Sequence, residues 1–395
     1  MVVSRRRLIA ALATTGTLGV AGCLGEDDEP LGEDDNGGVI NGTPMDDEED
    51  RTLTETQLYG PEEYRCDDRP SVSQSEGPPP TTDTALSIPA CPDELMDASR
   101  RGAAKDAIPS IDSPVYEHAD QVGLRLDDGD IVFGYEHNGE AWAYPQYILV
   151  LHEIVNDTFG SDELSITYCP LTGTAQGFVR GDTTFGVSGL LINSNLVMYD
   201  RETDSYYPQI LATGITGELV GQTLEEFNVI WTTWGQWREA HPDTNVLTED
   251  TGYVRNYNRD PYGSYNPKGG YYASSNVVFG EFVSEPEGLL PPKEVVIGTR
   301  TEAGAFAVHK EALAYHRVVD IELDGDPFAM VYDERLDTGY TYENTEGVTI
   351  EEADDGYLVD DELYQADSLP LPSLVRFDAM WFAWFGYYPT TKLYH

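Results

Sequence analysis

The chain has 395 residues, with 71 Asp and Glu against 23 Lys and Arg, and a formal net charge of −48. This balance excludes a nucleic-acid partner, because phosphate binding needs basic patches. A hydrophobic content of 40% excludes a wholly disordered chain, and the length allows one large domain or two ordinary ones. So large an excess of carboxylates is typical of halophilic proteins, whose surface charge is screened at molar salt.

The N-terminus has the features of an export signal. Arg5 and Arg6 precede an apolar stretch, residues 8–20, that is shorter than the roughly 20 residues of a membrane span. The Arg-Arg pair resembles a twin-arginine signal, and the small residues before Cys23 resemble a lipoprotein cleavage site. We therefore predict a signal peptide over 1–22, a lipid on Cys23, and anchoring to the cell membrane with the protein facing the exterior. An ordinary cleaved signal followed by an incidental cysteine is the alternative.

Residues 23–98 are acidic and then rich in proline, which predicts a disordered linker between the membrane and a folded body. Cys66 and Cys91 flank the proline-rich stretch. In an oxidising exterior these two cysteines can close a loop through a disulfide, and a pair of free thiols is the alternative. Cys169 is then left as the odd cysteine of the body.

The body shows the pattern of an internal duplication. Residues 131–134 match residues 295–298 at an offset of 164 (295 − 131), and the Trp234 motif matches the Trp381 motif at an offset of 147 (381 − 234). We place repeat 1 at 99–250, a Tyr- and Gly-rich loop at 251–292, and repeat 2 at 293–395. Chance similarity between two β-hairpins is the alternative.

Hydrophobic periodicity predicts a mixed local structure in each repeat. In repeat 1 it predicts a β-hairpin over 130–144, a helix over 146–155, strands over 164–169 and 175–179, and a helix ending near residue 240. The expected fold class is therefore α+β, internally duplicated, with mainly antiparallel sheets and short helices.

Several motifs resemble those of a known family. They are residues 105–109, 139–145, 152–157, 167–175, 185–189, 198–201 and 234–244. In this order they resemble the domain of unknown function 3179, over about residues 100–395. The resemblance implies an exported bacterial or haloarchaeal protein and names no reaction. Many members of that family have a second cysteine where this chain has Thr172, so dithiol chemistry is not carried over to this chain.

The candidate catalytic residues are Cys169, His152 and His241, a set of sulfur and nitrogen donors in repeat 1. Repeat 2 has His316, Asp333 and Tyr388 at the positions that correspond to His152, Cys169 and His241. This second set offers harder donor atoms and fewer donors of the soft type that sulfur and imidazole nitrogen provide. If the body has a chemical site, we therefore expect it in repeat 1.

Two chemistries suit these residues. The thiolate and both imidazoles are ligands for a transition metal such as copper or zinc. Alternatively, Cys169 is a nucleophile whose pKa is lowered by a histidine, with backbone amides near Thr172 and Thr174 binding an oxyanion. The plain alternative to both is a buried cysteine that acts as a small hydrophobic residue.

Arg201 and Tyr262 complete the ligand-binding candidates. Arg201 follows a strand and can either contact a substrate or form an ion pair in a turn. Tyr262 belongs to the tyrosine-rich loop, whose rings offer flat apolar area with a polar tip. We expect a lipid-anchored protein that binds a small molecule or a cell-surface ligand in the cleft between the repeats. A thiol- or metal-dependent enzyme centred on Cys169 is the alternative.

Overall fold

The computed structural model describes residues 52–59, 74–75, 77–121, 125–278 and 288–395. The predicted signal peptide, Cys23 and Cys66 lie outside these residues. Within them, no helix combines the length and the apolar character that crossing a membrane requires. The protein is mostly β, with several largely antiparallel sheets and a few short helices. This confirms the predicted antiparallel sheets and short helices, whereas the helices contribute less than the predicted α+β class implied.

The elements follow one another in four segments. Before residue 99 lie β1 (Glu55–Gln57), β2 (Thr81–Thr82) and α1 (Pro92–Ala98). The first half, residues 99–250, holds β3 (Arg100–Arg101), β4 (Tyr116–His118), β5 (Ile131–His137), β6 (Glu140–Pro145), α2 (Gln146–Leu149), β7 (Ile154–Phe159), β8 (Asp162–Cys169), β9 (Thr174–Val179), β10 (Phe185–Ile192), β11 (Asn195–Asp200), β12 (Tyr206–Pro208), β13 (Thr223–Leu224), β14 (Glu226–Phe227), β15 (Ile230–Thr233), α3 (Trp234–Ala240) and β16 (Asn245–Leu247). The connecting loop holds β17 (Gly263–Tyr265) and β18 (Lys268–Gly270). The second half, residues 293–395, holds β19 (Val295–Thr301), β20 (Gly304–His309), α4 (Lys310–His316), β21 (Val318–Leu323), β22 (Asp326–Asp333), β23 (Thr338–Glu343), β24 (Ile350–Ala353), β25 (Gly356–Val359), β26 (Glu362–Tyr364), β27 (Ser373–Leu374), β28 (Arg376–Met380), α5 (Trp381–Tyr387) and β29 (Lys392–Tyr394).

The two halves share a sheet topology. The five-stranded sheet has the order β15-β5-β6-β16-β4 in the first half and β28-β19-β20-β29-β1 in the second. In both sheets the third and fourth strands pair in parallel and the other neighbours pair antiparallel. The four-stranded sheets, β14-β9-β8-β7 and β27-β23-β22-β21, correspond in the same way. Strands β10 to β13 in the first half and β24 to β26 in the second are additions to this common plan.

A tryptophan packs on each five-stranded sheet at a glycine. Helix α3 places Trp237 over Gly134, where an added Cβ would lie 2.2 Å from the indole ring. Helix α5 places Trp384 over Gly298, where the corresponding distance is 2.1 Å. Only glycine permits so close an approach of helix to strand, so both halves depend on the same pairing of residue types.

The halves dock by covering each other's turns. The turn after β8 lies against β28, where the Met380 amide donates to the Thr172 carbonyl at 2.9 Å. The turn after β22 lies against α3, where Leu336 packs with Trp234 and Trp237. Each turn is therefore buried by the opposite half, which determines where the candidate site residues lie.

The prediction of a disordered linker over 23–98 is wrong for its described part. Strand β1 pairs with β29 and β2 pairs with β13, and Leu58 and Leu95 are buried in the main core. The acidic composition of these segments gave no sign of ordered structure, because they become ordered by pairing with strands that lie far along the chain. Such partners leave no local pattern in the sequence.

Cys91, one of the two cysteines predicted to pair, is the N-cap residue of helix α1. The carboxylate of Glu94 accepts a hydrogen bond from the Cys91 amide at 3.0 Å, and Pro92 occupies the first turn, where its missing N–H costs nothing. Cys91 is disulfide-bonded. Its predicted partner, Cys66, lies outside the described residues, so the pairing itself stays a prediction.

The helix predicted over 146–155 is shorter than its apolar spacing suggested. Helix α2 ends at Leu149, and β7 begins at Ile154. Between them Glu153 has a φ of 60°, in the left-handed region, which ends a right-handed helix. Pairing with β8 then takes the remaining apolar residues into the sheet.

Candidate functional site: a tyrosine-lined cleft

Cys169 ends β8, as predicted, and it is buried. Its side chain is 1% exposed, and its Sγ accepts a hydrogen bond from the Leu196 amide at 3.4 Å. Burial, together with the nearby charge of Glu153, raises the pKa of the thiol to about 11. The thiol is therefore protonated at neutral pH, which is the opposite of what a nucleophile or a metal ligand needs.

His152 is also buried, and it holds two loops together. Its Nδ1 donates to the Pro109 carbonyl at 2.7 Å, because a carbonyl can only accept. Its Nε2 therefore accepts from the Tyr257 hydroxyl, also at 2.7 Å. Burial lowers the pKa of His152 to about 4, so the ring is neutral. Both ring nitrogens are occupied by these contacts.

His241 lies on the side of the first half that faces the turn after β22. Its ring packs on Trp237, with centroids 4.1 Å apart, and its Nε2 is 3.4 Å from Glu136. Burial lowers the pKa of His241, and charges in the second half, among them Arg335 and Asp333, act on it. The charged groups that act on His241 therefore belong partly to the second half, and among the described residues it contacts Trp237 and Glu136 rather than Cys169.

The structure does not bring Cys169, His152 and His241 together. Across the ranges that the structure describes, no three His, Cys, Asp or Glu side chains are grouped closely enough to hold a metal ion. The proposed copper or zinc set therefore has no geometric support. The physical reason is that each half covers a turn of the other half. Residues that lie close in the sequence pattern of the first half are therefore buried in different contacts.

The threonines of the turn after β8 are engaged in internal hydrogen bonds. Thr172 Oγ1 accepts from the Asn195 amide group at 3.0 Å, and Thr174 Oγ1 donates to the Thr172 carbonyl at 3.2 Å. Both residues are fully buried. These contacts pack the turn between the two halves. The arrangement of the two threonines therefore does not support the predicted oxyanion pocket.

Arg201 lies at the surface and links several neighbouring segments through hydrogen bonds and ion pairs. Its guanidinium donates to Thr184 Oγ1 at 2.8 Å and Ser110 Oγ at 3.0 Å. It also lies 3.4 Å from Asp106 and 3.5 Å from Asp112. The interpretation of Arg201 as an ion-paired turn residue therefore fits better than a role in ligand binding.

The tyrosine-rich loop folds over the first half and builds a polar cluster there. We call Tyr168, Tyr265, Tyr272, Gln146 and Asp260 the tyrosine cluster. The rings of Tyr265 and Tyr272 stack with centroids 3.9 Å apart, and the Tyr168 hydroxyl lies 3.2 Å from that of Tyr265. Gln146 Nε2 donates to Asp260 Oδ2 at 2.9 Å, and burial raises the pKa of Asp260.

Tyr262, the loop residue predicted to bind a ligand, lies behind this cluster. Its ring is 6% exposed and packs edge-on against Tyr271, with centroids 6.1 Å apart. Tyr262 therefore supports the loop from inside and does not present a surface. Two other residues of this loop line an open cavity: Tyr257, which is the partner of His152, and Asn258.

Two adjoining cavities open beside the tyrosine cluster, and together we call them the tyrosine cleft. One has a volume of about 260 Å³ and is lined by Gln146, Tyr257 and Asp130 among others. The other has a volume of about 530 Å³. Both are lined by Arg125 and Tyr147. The smaller cavity lies between the first half and the connecting loop, and the larger one is lined by residues of the first half. Neither lies between the two halves, where the sequence analysis expected the site.

Sequence reasoning missed the two groups that join the cleft to the cluster, Gln146 and Asp260. Gln146 follows Pro145 at the end of a strand, and a polar residue at the start of a short buried helix was the available signal. Asp260 is one of many acidic residues in this chain. No feature of the neighbouring sequence distinguished Asp260 from the others, because its contact with Gln146 exists only in the folded protein.

A further cavity, of about 680 Å³, lies in the second half beside Asp333. Its two arginines are already paired. Arg335 Nη2 is 2.7 Å from Asp333, and Arg317 Nη2 is 2.8 Å from Glu334. Both arginines are therefore already engaged, and the remaining charged residues of the wall, Asp354 and Asp355, are carboxylates.

The comparisons with known proteins agree with the resemblance noted in the sequence. The family described as protein of unknown function (DUF3179) matches residues 105–391, a range that includes the whole tyrosine cleft. No curated protein and no solved structure matches the chain. The chain therefore belongs to the DUF3179 family of proteins of unknown function.

Proposed function

We propose that this protein is a lipid-anchored, extracytoplasmic ligand-binding protein, and that the tyrosine cleft is its binding site. The observation that carries the proposal is the composition of the cleft wall. The buried polar residues Gln146 and Tyr257 line the 260 Å³ cavity, and the apolar side chains of Leu126 and Val246 line the 530 Å³ cavity that shares Arg125 and Tyr147 with it. A concave site with a few placed polar groups in an apolar wall is the usual form of a small-molecule site.

The alternative, a thiol- or metal-dependent enzyme at Cys169, gains no support from the geometry. The thiol is covered, its pKa is raised to about 11, and both predicted histidine partners point elsewhere. By contrast, the tyrosine cleft leaves polar groups accessible to a ligand. The binding function is therefore the better interpretation of this fold.

We also propose that the two halves arose by internal duplication. Their five- and four-stranded sheets have the same strand order. In addition, a tryptophan of α3 and one of α5 each pack on a glycine of the corresponding strand. One half then kept an open cleft, whereas in the other half Lys310, at the position of Gln146 (310 − 146 = 164), forms an ion pair with Asp378 at 3.2 Å.

Membrane anchoring through Cys23 and life at high salt are further parts of the proposal, supported by the signal-like N-terminus and the charge of −48. We expect Cys23→Ala to move the protein from the membrane fraction to the soluble fraction in cells of its native host. A variant that stays with the membrane after a high-salt wash would contradict lipid anchoring at Cys23.

Ligand binding is tested by thermal unfolding of the full chain with four probes: a hexose, an apolar amino acid, a dicarboxylate and a linear diamine. We expect at least one probe to stabilise the wild type. A probe at 100 times its dissociation constant contributes about 2.7 kcal/mol. Tyr147→Ser, in the wall of both cavities, should abolish this effect, and Tyr315→Ser, on an exposed helix of the second half, should not. Stabilisation by none of the probes, or equal loss in both variants, would refute the cleft as the site.

A further inference from the structure

The orientation of the Gln146 amide leaves an acceptor at the cleft. Gln146 is 7% exposed, and its Nε2 donates to Asp260 Oδ2 at 2.9 Å. The hydroxyls of Tyr168 and Tyr272 lie 3.2 and 3.3 Å from the same nitrogen. Because a carboxylate can only accept, this orientation is determined by Asp260. The amide oxygen, Oε1, has no hydrogen-bond partner in the described parts of the chain, although Gln146 lines the 260 Å³ cavity.

A second observation concerns the charges of the cleft. Arg125 is already paired with Glu249. Asp130 lines one cavity, and Glu117 and Asp250 line the other. Over the residues the structure describes, none of these three carboxylates has a cationic side chain within salt-bridge distance. The cleft therefore carries net negative charge, and Asp130, Glu117 and Asp250 are its charged groups without an ion-pair partner among the described residues.

The space between these carboxylates is apolar and aromatic. Leu126, Pro145 and Val246 line the 530 Å³ cavity, and Tyr147 lines both cavities. A ring face beside carboxylates attracts an organic cation through its quadrupole. Apolar walls between charged ends suit a chain of methylene groups.

We infer that the ligand of the tyrosine cleft is a linear organic diamine or polyamine. In this arrangement one ammonium group donates to Gln146 Oε1 and lies beside Asp130, and the methylene chain packs on the apolar wall. The second ammonium group lies beside Glu117 or Asp250. A protein with a net charge of −48 also attracts cations and repels dicarboxylates at long range. This inference rests on the proposed function and adds the chemical class of the ligand.

The test is titration calorimetry of the full chain with 1,5-diaminopentane, with 1-pentanol and glutarate as probes that lack the two positive charges. We expect one saturable site for the diamine and none for the other two. Asp130→Asn should weaken the diamine at least about tenfold, the usual order for losing one charged partner. Asp320→Asn, the same change at an exposed position of β21, is the matched control and should leave the affinity unchanged.

Each other outcome overturns the inference. If both variants weaken the diamine equally, or many sites bind it, the diamine is only a counterion of the acidic surface. If no saturable binding occurs, the ligand class is wrong. If a hexose or an amino acid stabilises the protein through Tyr147 while the diamine does not, the proposed function stands and the diamine inference falls. Asp250→Asn serves as the second test variant if Asp130→Asn does not fold.

Discussion

The Cys169 thiol should resist alkylation in the folded protein. Burial raises its pKa to about 11, whereas an ordinary cysteine has a pKa of about 8.5. At pH 8, about one thiol in a thousand is then ionised, against about one in four for an ordinary cysteine, so reaction should be about 200-fold slower. The 1% exposure of the side chain slows access to the sulfur further.

The assay is iodoacetamide labelling of the full chain, with mass spectrometry of the peptide that contains Cys169, between pH 7 and pH 10. We expect the rate constant in the folded protein to rise about tenfold per pH unit, because the thiolate is the reacting species. The same cysteine in urea-unfolded protein is the control, and it should react at the rate of an ordinary thiol. A folded-state rate within about tenfold of the unfolded rate at pH 7.5 would refute the argument and restore the nucleophile hypothesis.

The same raised pKa makes a prediction about stability. A thiol whose pKa is higher in the folded protein than in the unfolded protein makes its full contribution to the free energy of unfolding below about pH 8.5. This contribution is lost as the pH rises toward 11, by at most about 3 kcal/mol. Cys169→Ala should therefore flatten the fall in unfolding free energy above pH 9. If the wild type and the variant show the same alkaline slope, Cys169 does not hold its proton through burial.

Three further perturbations test the histidine, the glycine contact and the ion pair between the halves. Burial lowers the pKa of His152 to about 4, so its stabilisation is present above pH 6.5 and lost as the pH falls toward 4, and His152→Gln should reduce the acid sensitivity seen in urea titrations. Gly134→Ala should lower the unfolding free energy by about 1–3 kcal/mol or more, because its Cβ would lie 2.2 Å from the Trp237 ring. Glu226→Gln should cost about 3–5 kcal/mol in chemical denaturation, because it leaves the buried Arg300, now 2.8 Å from Glu226, without its partner.

Each of these variants has a matched control in the same chain. His118→Gln changes a half-exposed histidine and should leave the acid limb as it is. Gly269→Ala adds a Cβ with its nearest atom 4.0 Å away and should change stability little. Asp128→Asn breaks an exposed ion pair with Arg238, worth under about 1 kcal/mol. If a control costs as much as its buried counterpart, burial is not the cause of the effect.

Much of the sheet structure could be predicted from the sequence because its signals are local. The offset of 164 between residues 131 and 295 correctly identifies β5 and β19, and β8 and β22, as corresponding strands of the two halves. It does so because the alternation of apolar residues and the turn residues recur with the strands. The strand end at Cys169 followed from the same pattern. The helix predicted after Pro145 was too long, because apolar spacing over so short a stretch does not distinguish a helix from a strand.

The candidate site could not be predicted in this way. Cys169, His152 and His241 belong to one half of the sequence, yet the turn that carries Cys169 is covered by the second half. His241 packs on Trp237, which belongs to the same apolar cluster as Leu336 in the turn after β22. Spacing along the chain does not say which half covers a turn, because that depends on how the halves pack.

The sequence by itself was enough to predict an export signal at the N-terminus, the similar order of strands in the two halves and the excess of carboxylates, because each depends on neighbouring residues or on composition. Only the tertiary structure decided that the cysteine is enclosed, that β1 completes a sheet with β29, and that Gln146 meets Asp260 across 114 positions of sequence. Burial and hydrogen-bond direction arise from contacts between distant segments, and such contacts exist only once the chain has folded.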